Sequence, residues 1–150
     1  MNIKNVKIQK MTAANIDGLV KIENASFSKP WTYGGFENEL QNDTANFLVA
    51  VCDNKEIGYI GFHTVLDEGY VANIAVLPEF RHCGVASILL ENAIKICREK
   101  NLVFLSLEVR KSNENAISLY NKFGFELVGE RKNFYTAPTE NAYIMTLNFT

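Results

Sequence analysis

Val6 and Ile8 alternate with Lys7 and Gln9, the period of a half-buried strand. After Thr12, a residue suited to capping, Ile16, Leu19, Val20 and Phe27 recur at helical spacing. Ser28-Lys29-Pro30 breaks that pattern. Beyond Trp31, a second capping residue, Thr32, precedes a short helix carrying Phe36 and Leu40, with Gly34-Gly35 working against it. An apolar run from Phe47 to Cys52, a four-residue turn Asp53-Asn54-Lys55-Glu56 and a longer run from Ile57 to Leu66 predict a hairpin. A second turn over Asp67-Glu68-Gly69 leads into Tyr70 to Leu77, so three successive strands predict an antiparallel meander that Pro78 ends.

The second half changes period. Val85, Ile88, Leu89, Ala93, Ile96 and Cys97 share one helical face, while Glu91, Asn92, Lys95 and Arg98 take the other. Val103 to Val109 is almost continuously apolar, as in a strand buried on both faces, and reaching it through a helix predicts parallel pairing with the strand before. A helix from about Glu114 to Phe123 stops at Gly124, suited to a left-handed cap. Phe125 to Val128 and Tyr143 to Phe149 complete the sheet. The expected fold class is α+β: one domain over residues 1–150, with a mixed, mostly antiparallel sheet of about seven strands flanked by about four helices.

Composition narrows the function classes. With 47% hydrophobic residues the 150-residue chain can bury roughly 70% of its unfolded surface without metal or disulfide support. Fifteen Lys and Arg against seventeen Asp and Glu give a net charge of −2, which argues against a cationic nucleic-acid surface. Cys52, Cys83 and Cys97 are odd in number, contain no CxxC pair and have only His63 and His82 to join them, so neither a disulfide framework nor a metal site is expected. The N-terminus, Met1 to Lys7, alternates polar and apolar residues and lacks the long apolar core of a secretion signal, and no run is long enough to span a membrane. A cytoplasmic protein without membrane or nucleic-acid partners is expected; oligomeric state is not legible.

Between the strand ending at Leu77 and the strongest helix lies Pro78-Glu79-Phe80-Arg81-His82-Cys83-Gly84-Val85-Ala86. Arg81-x-x-Gly84-x-Ala86 thus feeds a helix N-terminus, where unpaired N–H groups and the positive dipole end suit phosphate oxygens. Small residues let a pyrophosphate approach the backbone, and Arg81 adds charge. The plainer alternative is that Gly84 permits a tight turn and Ala86 only packs. A dinucleotide fingerprint fails, because the loop lacks the first and third glycines of Gly-x-Gly-x-x-Gly, and a P-loop fails for want of Gly-Lys-Ser/Thr.

The loop does not stand alone. Asn73-Ile74-Ala75-Val76 before it, Leu107-Glu108-Val109-Arg110 in the next strand, Asn113, and Ala116-Ile117-Ser118-Leu119-Tyr120 leading to Phe123-Gly124-Phe125 follow in order. This series resembles the GNAT N-acetyltransferase superfamily over essentially the whole chain, and within it the branch that acetylates the N-terminal alanine of a small-subunit ribosomal protein. The resemblance implies acetyl-CoA as co-substrate, without metal, held by Arg81, His82, Cys83, Gly84, Val85 and Ala86. It also implies main-chain contacts from Ile74, Ala75 and Val76 on a strand that splays away from the Glu108 strand, and a contact from Asn113. One departure is that His82 and Cys83 stand where the family often carries further Arg or Lys.

Acetyl transfer needs a free amine, yet an α-amino group has a pKa of about 7.7–8.0, so a base is required. Glu108 interrupts an apolar strand, where desolvation would suit a base, and the resemblance places the base there. The alternative pairs it with Arg110 or Lys111 at a wet strand end. Departure of the thiolate needs a proton donor, and the resemblance assigns it to Tyr120, which could otherwise be one more core aromatic beside Leu119 and Phe123. Asn113 is equally suited to capping a helix. The resemblance puts Trp31 and Tyr135 in loops beside the acceptor, though both could be rim aromatics. Cys83 has no His–Asp arrangement to make it a nucleophile, and His63 reads as a strand residue. The expected partner is a ribosomal protein N-terminus. A lysine or small-amine acetyltransferase and a non-catalytic acyl-CoA-binding module are the alternatives, and the presence of both Glu108 and Tyr120 favours an enzyme.

Overall fold

In the computed structural model, which describes residues 5–149, the elements are β1 (Val6–Lys10), a 3-10 turn (Ala13–Asn15), α1 (Ile16–Ser26), α2 (Tyr33–Leu40), β2 (Ala45–Cys52), β3 (Lys55–Val65), β4 (Glu68–Val76), a second 3-10 turn (Pro78–Phe80), α3 (Val85–Glu99), β5 (Phe104–Arg110), α4 (Glu114–Lys122), β6 (Glu126–Tyr135) and β7 (Glu140–Asn148). Of the N-terminal alternation read above, Met1 to Lys4 lie outside the described residues. The strands form one sheet in the order β1-β2-β3-β4-β5-β7-β6, antiparallel except for β4 and β5. This is the expected α+β fold, with seven strands and four helices.

Local chemistry explains the elements and the departures from expectation. Thr32 caps α2 by accepting the Gly35 N–H at 3.2 Å. The β2–β3 connection is tighter than the four-residue turn expected: Asp53 and Asn54 both take positive φ, 49° and 64°, as a two-residue hairpin turn requires, and Lys55 is already in β3. Phe27, expected on the first helix, follows its end in extended backbone and is 39% exposed. The sixth strand runs to Tyr135 rather than stopping at Val128. It is an edge strand, nearly all exposed, so it carries no apolar alternation to read.

α1 packs on β3 and β4 through Ile16, Leu19 and Ile22, and α3 packs across β1 to β5 through Val85, Leu89, Leu90, Ala93 and Cys97. Trp31, Phe36, Phe47 and Tyr59 form an aromatic cluster with centroids 5.5–6.4 Å apart. Such pairs contribute about 0.5–1.5 kcal/mol each beyond burial. They also seat the chain between α1 and α2 against the sheet.

One irregularity makes room for a site. β4 pairs with β5 only over Glu68–Tyr70 and Phe104–Ser106, and beyond Tyr70 the two strands part. The cause is a shift in the β3–β4 register: Gly61 pairs with Asn73 but Phe62 with Val71, leaving Ala72 as an extra residue that kinks β4. Leu77 donates its N–H to Ile57, so by alternation Ile74 and Val76 turn their main-chain groups from β3 toward the split. On the far bank Lys111 donates to Asn141 of the β7 side, so Glu108 and Arg110 turn theirs inward.

Candidate active site

Two clefts meet at this split. The first, about 530 Å³, is walled by Ile74, Ala75 and Val76 of β4, by Arg81, His82, Gly84, Val85 and Ala86, and by Asn113, Ala116, Leu119 and Tyr120. Gly84, with φ 87°, is the N-cap of α3, no side chain caps the helix among the described residues, and its first turn borders the cleft. His82 is also left-handed, φ 61°, which folds the loop back over the helix end. An extended ligand with a pyrophosphate fits this donor set: phosphate oxygens at the α3 N-terminus and an amide-bearing arm beside Ile74 and Val76. Two of the expected residues do something further. Arg81 donates Nε to the Val76 carbonyl at 2.9 Å and a terminal nitrogen to Ser26 Oγ at 3.2 Å, bracing the loop to β4 and α1. Cys83 turns its thiol back to the Arg81 carbonyl and is absent from the cleft wall.

The second cleft, about 700 Å³, opens on the other side of the split and contains Glu108, Arg110, Tyr120, Trp31 and Tyr135. Tyr120 and Asn113 line both clefts. The Tyr120 ring is buried, 5.7 Å from Phe125, and burial pushes its phenol above the ordinary tyrosine range, with nearby Tyr135 adding to the effect. It therefore stays protonated at any physiological pH and gives up its proton only where negative charge builds beside it. Asn113 caps α4 by accepting the Ala116 N–H at 3.2 Å, so its two readings coexist. Glu108 sits within β5 with its side chain 30% exposed, and Arg131 Nε lies 3.5 Å away. The partners suggested by the wet-end alternative are otherwise engaged: Arg110 with Glu140 at 3.2 Å and Lys111 with Glu130 at 3.4 Å.

Arg110 organises the outer wall. It donates to the Pro138 and Thr136 carbonyls at 2.9 and 3.2 Å, and its guanidinium lies 4.5 Å from the centre of the Tyr135 ring. Tyr135 is on β6 rather than in a loop, and burial with nearby Glu108 pushes its phenol up to about 12. Ser28 Oγ donates to the Ala137 carbonyl at 2.8 Å, bridging the two banks of the second cleft. Trp31 is half-buried and leans on Phe36 and Phe47, yet also borders this cleft. His63, expected to be an ordinary strand residue, lies on β3 with Nε2 2.5 Å from Glu39 Oε2, away from both clefts.

Sequence reasoning missed Glu23. It is fully buried on α1, and its carboxyl is pushed above the ordinary carboxylate range by that burial, with hydrogen bonds from Tyr59 and Trp31 pulling the other way. Asn73 belongs to the motif before the loop without a side-chain role there, yet its side chain reaches Glu23 and Tyr59. The available signal was an acidic residue four positions after Leu19, on the same apolar stripe.

The chain is similar to several acetyltransferases along its length. A Bacillus subtilis protein with the provisional name [ribosomal protein bS18]-alanine N-acetyltransferase is 42% identical over 139 residues, 92% of each chain. The [ribosomal protein bS18]-alanine N-acetyltransferase of Haemophilus influenzae is 38% identical over 92% of this chain and 95% of its own. The crystal structure of the ribosomal-protein-S18-alanine N-acetyltransferase from Escherichia coli superposes with a TM-score of 0.89 at 30% identity, covering 97% of this chain and 94% of that one. The profile of the Acetyltransferase (GNAT) family matches residues 16–125, from the start of α1 through α4, and the chain belongs to that family.

Proposed function

We propose that this protein acetylates the N-terminal α-amine of a protein, the alanine of ribosomal protein bS18 being the substrate, by direct attack on acetyl-CoA. The observation that carries the reading is the opening between β4 and β5, with a phosphate-binding helix end on one side and a carboxylate and a buried phenol on the other. Relatives 42% and 38% identical that bear this activity in their names support the choice of acceptor. Among the described residues no helix is long and apolar enough to cross a membrane.

Bound acetyl-CoA supplies the activated acetyl group and a thiolate leaving group. Gly84, Val85 and Ala86 hold its pyrophosphate with main-chain N–H groups, Arg81 lends charge, and Ile74 and Val76 align its arm as an added strand. Glu108 takes the proton of the incoming ammonium, directly or through water. As the C–S bond breaks, Tyr120, touching both clefts, gives its proton to sulfur and is restored by the second proton that the nitrogen sheds on becoming an amide. Trp31 and Tyr135 flank the path of the acceptor.

The test is acetyl transfer, read as thiol release, to peptides beginning with alanine, to lysine peptides with blocked termini and to small polyamines. Faster turnover on alanine-initiated peptides is expected. Preference for lysine or a small amine would overturn the acceptor and leave the acetyltransferase standing.

A further inference from the structure

The reaction chemistry above leaves one buried charge unused, and three segments around the site converge on it. Glu23 has no exposed surface. Its Oε1 accepts the Trp31 N–H at 2.8 Å, while its Oε2 accepts the Tyr59 hydroxyl and Asn73 Nδ2, the latter at 3.0 Å. Asn73 gives its other amide hydrogen to Tyr59 Oη at 2.9 Å, and its Oδ1 accepts the Ile74 N–H at 3.1 Å. The network therefore runs from the acceptor-side loop at Trp31, through α1 and β3, to the main chain of β4 where the split begins.

A carboxylate placed here costs desolvation that an apolar residue would avoid, and Leu19 and Ile22 fill the same helix face with no such cost. What an apolar residue cannot do is accept three hydrogen bonds at once. We propose that Glu23 is a positioning residue for acetyl transfer: it ties the Trp31 loop to Asn73, and through Asn73 sets the direction of the Ile74 N–H. This rests on the acetyltransferase reading above. It links the Trp31 loop on the acceptor side to the β4 bank of the cleft. It also gives Asn73 a side-chain role distinct from the main-chain role of its neighbours.

Glu23→Gln is close to isosteric and tests the idea sharply. An amide offers one acceptor oxygen, so if that oxygen keeps Tyr59 and Asn73, its NH2 opposes the Trp31 N–H and releases the acceptor-side loop. The expected result is a kcat/KM for the acceptor at least tenfold lower, mostly through KM, while the acetyl-CoA Kd measured by calorimetry stays within twofold. Tyr59→Phe keeps the ring and the charge and removes one donor to Glu23 together with one acceptor for Asn73. It should lower the same ratio less, and combining it with Glu23→Gln should cost less than the product of the two effects. A merely structural role would lower Tm and leave kcat and acceptor KM unchanged in assays well below it, which would overturn the proposal, as would strictly multiplicative effects. If Glu23→Gln does not fold, Tyr59→Phe decides alone: an unchanged acceptor KM and kcat overturns. Wild-type protein assayed in parallel on alanine peptides, lysine peptides and small amines keeps the two readings apart. A different preferred amine sinks the acceptor assignment, and the variants are then judged on that amine.

Discussion

Tyr120→Phe should separate chemistry from stability more cleanly than any other change in this protein. The ring is 5% exposed and packs on Phe125, so phenylalanine fills the same space. Tyr120 lines both clefts, and burial and Tyr135, not a hydrogen bond, are what act on its phenol. Removal of the hydroxyl therefore breaks no internal bond, and the stability change should stay within about 0.5 kcal/mol, as for a substitution that opens no cavity. Tyr120→Ala, by contrast, should cost about 3–5 kcal/mol, as loss of a buried ring does. Loss of a general acid slows turnover about 10²–10⁴-fold, or about 2.7–5.4 kcal/mol of barrier at 1.36 kcal/mol per decade. The assay is kcat by thiol release at saturating acetyl-CoA, with a melting curve and the acetyl-CoA Kd on the same preparation. Turnover within about threefold of wild type, with an unchanged melt, would refute the assignment and leave Tyr120 a packing aromatic.

Glu108→Gln should lose turnover by about 10²–10⁴-fold near neutral pH and recover part of it as pH rises, because hydroxide and a larger free-amine fraction replace the base; Tyr120→Phe should show no comparable recovery. In the wild type, kcat/KM should climb through the α-amine pKa of about 7.7–8.0 and show no descending limb near pH 10, since burial holds the Tyr120 phenol above its ordinary value; a limb at pH 9–10 would contradict that. Gly84→Val should weaken acetyl-CoA binding by calorimetry with the sheet fold kept by circular dichroism, because φ 87° is closed to a β-branched residue and the side chain would sit at the helix end; unchanged affinity would move the phosphate site elsewhere.

Much of this architecture is legible from period alone. The helix over residues 85–97 and the apolar strand after it carry their faces openly, and their pairing across a helical crossover follows from chain handedness. The candidate phosphate loop is legible because its features are local: a glycine at a helix start needs no distant partner. β6 is not legible, because an edge strand wet on both faces has no alternation to display. Nor is the kink at Ala72, which arises from mismatched registers between two strands and leaves no mark in the composition of either. Glu23 is missed for a related reason: its meaning depends on Tyr59 and Asn73, 36 and 50 positions away.

The open side of β4 carries a thermodynamic consequence. The Ile74 N–H is engaged by Asn73 Oδ1 and the Val76 carbonyl by Arg81 Nε, so an added strand does not meet bare backbone there. A hydrogen bond to either of these two groups replaces one the protein already has, and an exchange of this kind yields less than the roughly 0.5–1.5 kcal/mol of an ordinary net bond. At the Ile74 N–H and the Val76 carbonyl, alignment therefore contributes direction more than affinity. On the function proposed above, the first turn of α3, which no side chain caps among the described residues, is left to meet the anion oxygens. On this account Arg81 does two things with opposite sign: its charge favours the phosphates, while its bond to Val76 competes with the arm. Arg81→Lys keeps the charge but lacks the planar fork that reaches Val76 and Ser26 together, so it should bind acetyl-CoA more tightly than Arg81→Ala and yet brace the loop less well than arginine.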